Sequence, residues 1–249
     1  MVTLGERGAG RAPGAPRPAT RRPANGRGGP TSVQLKFVMA TSGAIMLLYL
    51  VVHMIGNLKI FLGRESLDAY AEWLRVVGEP ALPEQTVLWA VRVVLLAAVL
   101  GHLVSAVVLT LRARRARPVK YSHRPPVTGG SYAARTMRWG GVIIALFIVY
   151  HVLDLTTGTL NPNGVSGAVY DNVVADFAPA RWYVTLFYVL SVVAVGFHVK
   201  HGLWSGLQTF GRSSAATQAR LKGVSTVVAV VLVAGFGSVP FAVLTGVVA

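Results

Sequence analysis

Apolar residues in this chain fall into five runs, each near the roughly 20 residues that a helix needs to cross a lipid bilayer. A shorter segment of mixed polarity, residues 68–75, contains Tyr70 and Trp73 and predicts a helix lying at a membrane interface. The pattern predicts an all-α fold, an integral membrane bundle of five transmembrane helices. The predicted spans are Val33–Leu58, Leu88–Leu111, Arg138–Thr157, Trp182–Ser205 and Gly223–Val248.

The segment before the first span has a different composition. Residues 1–32 are dominated by Arg, Gly, Pro and Ala, with almost no large apolar side chains. Such a segment cannot bury a core, so it is expected to be a disordered basic tail. No apolar run follows its charges before Leu35, so it does not have the pattern of a secretory signal. The predicted organisation is a cytoplasmic tail, 1–32, and a transmembrane domain, 33–249.

Composition agrees with a membrane protein. The 249 residues are 53% hydrophobic and 13% charged, with a mean hydropathy of +0.55. The net charge of +15 comes from the tail and from two basic loops, 112–138 and 200–222, not from one continuous face. Positive-inside topology explains this distribution better than nucleic-acid binding, and it places the N-terminus inside and the C-terminus outside. The absence of cysteine excludes thiolate chemistry and cysteine-ligated iron–sulfur clusters within the chain.

Four predicted spans carry a histidine deep in an apolar run, and the fourth has a second one, His201, one turn later. From His53 to His102 and from His102 to His151 the separation is 49 residues, and from His151 to His198 it is 47. Because successive helices run in opposite directions, His53 and His151 fall in the outer half of the bundle and His102 and His198 in the inner half. We call these the outer pair and the inner pair. His123, in a basic loop, is expected to be a solvated residue.

Paired imidazoles at two depths are what two stacked b-type haems need, since a six-coordinate haem takes one axial nitrogen from each of two facing helices. One intramembrane histidine often only hydrogen-bonds a neighbouring carbonyl. Four at paired depths favour ligands, because ionisable groups are rare within membrane spans. A zinc or copper site would gather its histidines at one level, so haem fits better. No phosphate loop, catalytic triad or catalytic carboxylate pair is present.

Three motifs carry a resemblance to a known protein family. They are His53-x-x-x-Asn57 at the end of the first span, Arg138 with Gly140-Gly141 and Tyr150-His151-Val152 in the third, and Phe197-His198 before Gly202-Leu203-Trp204-Ser205 in the fourth. Over about residues 33–249 the chain resembles the five-helix, single-chain di-haem cytochrome b558 anchors of succinate:quinone oxidoreductases in menaquinone-using bacteria.

The resemblance implies the haem ligands and the partners. It implies two b haems, the inner one held by His102 and His198 and the outer one by His53 and His151. His201 is a second candidate for the inner ligand on the fourth helix, although His198 is preferred. The implied function is a non-catalytic electron-transfer subunit of succinate dehydrogenase in a bacterial cytoplasmic membrane. It would dock a flavoprotein and an iron–sulfur subunit through loops 112–124 and 206–222 and reduce menaquinone.

Other polar residues have candidate roles around these cofactors. The charged propionates of a haem need cationic or hydrogen-bonding partners. The alternative role of the candidate residues is to extend their charged ends to the lipid headgroups. Asp154, three residues after His151, is placed to orient that ligand or exchange protons with a quinone. Thr41 and Ser42 are candidates for an inner quinone pocket or for helix packing. The propionate candidates are Arg138, Arg135 and Lys36 at the inner level and Asn57 and Lys59 at the outer level.

Alternative functions come from two classes. Within electron transfer, the alternative is a di-haem cytochrome b subunit of another dehydrogenase, such as one for formate or hydrogen. Outside it, the alternatives are a haem-free structural anchor and a transporter. The paired histidine depths disfavour a plain anchor, and the lack of an inverted repeat disfavours a transporter.

Overall fold

The computed structural model describes residues 29–116, 130–211 and 214–249, and within them the regular secondary structure is entirely helical. Residues 32–249 form one compact unit. Most of the predicted disordered tail lies outside the described residues, as do His123 and the side chain of Arg135. The all-α prediction is confirmed.

Seven α-helices occur in the described part of the chain. Five of them, with the short helical turns that extend them, are long and apolar enough to span a membrane: α1, α3, α4, α6 and α7. The chain is therefore an integral membrane protein. The helices are α1 Ser32–Asn57, α2 Arg64–Val76, α3 Thr86–Arg115, α4 Gly130–His151, α5 Val169–Asp176, α6 Trp182–Thr209 and α7 Ala215–Leu244.

The spanning helices extend beyond the apolar runs that predicted them. α3 continues to Arg115 because arginines in its last turn complement the negative end of the helix dipole. α7 begins at Ala215, where the Ser214 side chain accepts a hydrogen bond from the Thr217 amide and caps the helix. Much of the predicted loop 206–222 is consequently helical. α4 ends in a π-helical turn, Val152–Thr156, a distortion that is frequent at functional sites.

Several pairs of the spanning helices do not pack closely against each other, and two of these pairs carry the histidines. α6 packs most extensively against α7, and α1 against α3, while α4 packs against α6. Gly196 lets α6 approach α7 closely, because a Cβ at this position would collide with Val233. Neither α1 with α4 nor α3 with α6 is among the closely packed pairs. These are the helices that carry the outer and the inner histidine pairs.

One end of the bundle is closed by short helices, and we call it the capped end. It holds the C-terminal ends of α1, α4 and α7, together with α2, α5 and the chain terminus. The Arg64 and Asp171 side chains form an ion pair between α2 and α5. Asp68 accepts a hydrogen bond from the Tyr170 amide at 2.9 Å. The main buried hydrophobic cluster lies here, including Ile60, Leu67, Tyr170, Phe177, Tyr188 and Val239.

Two elements of the capped end differ from the sequence prediction. α2 spans Arg64–Val76 and is longer than the predicted segment 68–75. α5 was not predicted, since it has only eight residues and its sequence offers no long apolar period. It matters because it brings Asp176, at its C-terminal end, beside α4 and α6.

Candidate functional site

The outer pair lies near the capped end, between α1 and α4. The ring centres of His53 and His151 are 5.9 Å apart, with an angle of 77° between the ring planes. Tyr49 stacks on His53 at 5.2 Å, and Phe147 lies 5.7 Å from His151. Both imidazoles therefore sit among aromatic side chains and face each other across helices that are not closely packed.

The inner pair joins α3 and α6 in the same way. The ring centres of His102 and His198 are 6.1 Å apart. Nδ1 of His102 lies 3.0 Å from the Met39 carbonyl oxygen and 3.2 Å from the Ser42 hydroxyl, which itself donates to the Val38 carbonyl. An Nδ1 proton donated to Met39 leaves the lone pair of Nε2 free for a metal, an arrangement typical of metal-ligating histidines.

Both pairs have dimensions that suit a bis-histidine haem. Two metal–nitrogen bonds of about 2 Å, plus the half-width of each ring, separate the ring centres by about 6 Å. Nδ1 of His198 is buried and has no hydrogen-bond partner among the described residues. Glycines border the inner pair: a Cβ at Gly43 would lie 3.5 Å from His102, and one at Gly141 would lie 3.8 Å from His198. The absence of side chains at these two positions leaves room beside the imidazoles for a planar group.

His201 has different surroundings from His198. It lies one turn further along α6 and packs edge-on against Trp204, with ring centres 5.7 Å apart. The Trp204 indole N–H donates to Gln218 of α7 at 2.6 Å. The structure thus brings His198, and not His201, opposite His102.

Asp154 is fully buried and is the first of three connected side chains, Asp154, Asp176 and Arg181, that lead away from the outer pair. We call them the polar chain. The Tyr188 hydroxyl donates to its Oδ2 at 2.6 Å and lies 3.5 Å from Nδ1 of His151. The carboxyl of Asp176, also fully buried, lies beside it. Arg181 donates to Asp176 Oδ1 at 2.8 Å. Asp154 therefore approaches His151 through Tyr188.

Burial raises the pKa of Asp176, a hydrogen bond with Asp154 and the charge of Asp154 raise it as well, and Arg181 lowers it; the resulting pKa is about 7. Asp176 precedes the predicted fourth span and lies at the capped end. A carboxyl with this pKa exchanges its proton near neutral pH, so the polar chain contains a group that can change charge under ordinary conditions.

The remaining predicted residues lie in varied places. Thr41 and Ser42 line a cavity of about 380 Å³ between α1 and α3, together with Phe37 and Val94. Its lining is almost entirely apolar, and it lies on the α1 and α3 side of the inner pair.

The predicted propionate partners lie near the ends of the predicted apolar spans. Arg138 and Lys36 are exposed, and Asn57 is half-buried at the end of α1. The ammonium of Lys59 lies 5.5 Å from the centre of the Tyr70 ring, as in a cation–π contact. The structure brings none of these four between the rings of a histidine pair.

Sequence reasoning did not identify Tyr188, Asp176 or Arg181 as functional residues. One signal was available: Asp176 and Arg181 are opposite charges that immediately precede an apolar span. The anchoring of His102 had no such signal, because its partner is the backbone carbonyl of Met39.

Other metal chemistry has no comparable site. Across residues 29–116, 130–211 and 214–249, no three His, Cys, Asp or Glu side chains converge as ligands for a metal ion. The two-histidine arrangement, repeated at two levels, is therefore what the structure offers for a cofactor. Comparisons with protein-family models, with curated proteins and with solved structures find no match to this chain.

Proposed function

We propose that this chain is a membrane cytochrome b subunit that holds two b haems, one at each histidine pair. The observation that carries the proposal is the repeated facing of two imidazoles, at 5.9 Å and 6.1 Å, across helices that do not pack closely. Direct packing of these helices would leave no space for a cofactor. When bound, the haems would supply one-electron carriers at two levels of the bundle.

The chain's own residues would bind and orient these groups. His102 is held by the Met39 carbonyl with its other ring nitrogen free, and His151 is approached by Tyr188. Such partners fix the tautomer and the ring orientation of a ligand. The flanking aromatic and apolar side chains exclude water, which stabilises a buried cofactor and influences its potential.

The three motifs quoted above support a more specific proposal, that this subunit is a membrane anchor of succinate dehydrogenase. In that reading the subunit sits in a bacterial cytoplasmic membrane, with its N-terminus inside. It receives electrons from a flavoprotein and an iron–sulfur subunit and delivers them to menaquinone. A cysteine-free chain can supply no iron–sulfur cluster itself, so such partners would be required. A di-haem subunit of another dehydrogenase would have the same histidine pairs, and the identity of the co-purifying subunits distinguishes the two.

The test is to purify the intact complex from membranes and to measure haem by a pyridine haemochrome assay. We expect two b haems per chain, a b-type band on reduction, and flavin and iron–sulfur subunits in the same complex. A haem content near zero would overturn the cytochrome reading in favour of a haem-free anchor. Two haems with a different dehydrogenase would keep the cytochrome and reject the succinate assignment.

A further inference from the structure

Asp154 and Asp176 are two fully buried carboxyls that meet where α4, α5 and α6 come together. One oxygen of each has a donor: Tyr188 for Asp154 Oδ2 and Arg181 for Asp176 Oδ1. The other two oxygens, Asp154 Oδ1 and Asp176 Oδ2, are buried and have no donor among the described residues. A proton held between them would give both a hydrogen bond, which two carboxylates cannot do for each other.

Charge leads to the same arrangement. With both carboxyls ionised, Asp154, Asp176 and Arg181 carry one net negative charge in a buried site, which is costly. One shared proton makes the group neutral. The pKa of Asp176, raised to about 7 by burial and by Asp154, places the gain and loss of that proton near neutral pH. The other groups facing the carboxyls are Tyr150 of α4 and Tyr188 of α6, both phenols.

The pair also connects two different environments. On one side, the Arg181 side chain is 23% exposed at the capped end, which gives Asp176 a partner at the surface. On the other side, Tyr188 spans from Asp154 to within 3.5 Å of His151 Nδ1. A change of charge at His151 would therefore act electrostatically on the carboxyl pair, because the distance is short and the site has a low dielectric constant.

We propose that Asp154 and Asp176 form a redox-linked proton site, which takes up one proton, shared between Asp154 Oδ1 and Asp176 Oδ2, when an electron reaches the outer pair. The balance is one electron in and one proton in from the aqueous side past Arg181; both leave together on oxidation. The carboxyl pair follows from the structure alone. Its link to an electron rests on the proposed haem function.

The first test does not depend on haem. Infrared spectroscopy of the purified full chain should show the carbonyl band of a protonated carboxyl that disappears between about pH 5 and about pH 9 and shifts in heavy water. Asp154→Asn and Asp176→Asn should each remove that titrating band, because an amide replaces the shared proton with its own N–H. Asp171→Asn, at the α5 carboxyl that pairs with Arg64 and is partly exposed, is the matched control and should keep it. A band that survives either pair variant, or no titrating band in the wild type, would overturn the shared proton.

The second test uses the haem-loaded complex. The midpoint potential at the outer pair should fall as pH rises above neutral, approaching 59 mV for each tenfold change in proton concentration, about the limit for one proton per electron. This slope should disappear in Asp154→Asn and Asp176→Asn and persist in Asp171→Asn. A titrating band with a pH-independent potential would reject the redox link while keeping the carboxyl pair. A chain without haem would reject the proposed function and the redox link together, and the infrared result would still decide on the shared proton.

Discussion

His102 and His151 each belong to one of the two facing pairs, but their polar partners differ in kind. His102 contacts a backbone carbonyl and a hydroxyl, from Met39 and Ser42, neither of which changes charge. His151 is approached by Tyr188, which donates to a buried carboxyl. Imidazole pairs at similar separations thus have different surroundings, one of fixed charge and one that contains buried carboxyls. In a membrane, that difference decides which pair can respond to pH.

The two ends of the bundle also differ in the charged residues that they carry. Eight of the nine acidic residues of the chain fall between positions 65 and 176, in segments that lead into or belong to the capped end. Among the described residues, the other end carries most of the basic side chains, including Lys36, Arg112, Arg138 and Lys222. Acidic residues therefore accompany the outer pair, and protonatable carboxyls are available only there among the described spans.

The largest expected effect is loss of a haem from one pair. His198→Ala should remove the inner haem, because it deletes the imidazole that faces His102, and should halve the haem content of the complex. His201→Ala is the matched control, one turn away on α6, and should leave both haems in place. The measurement is the haemochrome ratio with low-temperature spectra to separate the two centres. Loss of the inner haem in His201→Ala with its retention in His198→Ala would reverse the ligand assignment.

A second effect concerns where the quinone is reduced. If the quinone site is beside the outer pair, Asp154→Asn should slow quinone reduction several-fold and leave succinate oxidation by an artificial acceptor unchanged. Electron movement toward a positive outer side gains about 2.3 kcal/mol per charge per 100 mV, so an uncoupler should also slow the reaction. Both activities are measured in membranes, with Asp171→Asn as control. Equal losses, or indifference to the uncoupler, would favour the cavity at Thr41 and Ser42.

The third effect is on stability. Because the folded pKa of Asp176 is about 7 and the ordinary value is 3.8, the folded chain keeps a proton that the unfolded chain releases between these values. Stability should therefore fall as pH rises through that window, by up to roughly 1 kcal/mol per pH unit. Asp176→Asn should flatten the dependence, and Asp171→Asn should retain it. Thermal unfolding in detergent at a series of pH values provides the measurement; a wild-type midpoint that rises from pH 5 to about pH 7 would contradict the sign.

The sequence predicted the bundle because a membrane span is recognised by its long apolar run. The five predicted runs correspond to α1, α3, α4, α6 and α7. It also placed the histidines at two levels, since depth follows from position along a helix. It did not predict contacts that depend on how the chain folds back between spans. α5 carries Asp176 to a carboxyl 22 positions earlier, and Tyr188 reaches Asp154 from another helix. Those contacts have no period along the sequence.

The smallest expected effect tests whether the inner pair is held mainly by backbone. Ser42→Ala removes a hydroxyl 3.2 Å from Nδ1 of His102, but the Met39 carbonyl remains at 3.0 Å as the acceptor. The lost contact is therefore worth at most about 1 kcal/mol, and the rate of haem loss from the inner pair should rise by less than about tenfold. Tyr188→Phe, at the outer pair, removes the polar group nearest Nδ1 of His151 and should raise haem loss there by a larger factor. Haem transfer to an acceptor protein, followed for each centre by its spectrum, gives both rates. A larger effect for Ser42→Ala than for Tyr188→Phe would mean that the hydroxyl, and not the carbonyl, orients His102.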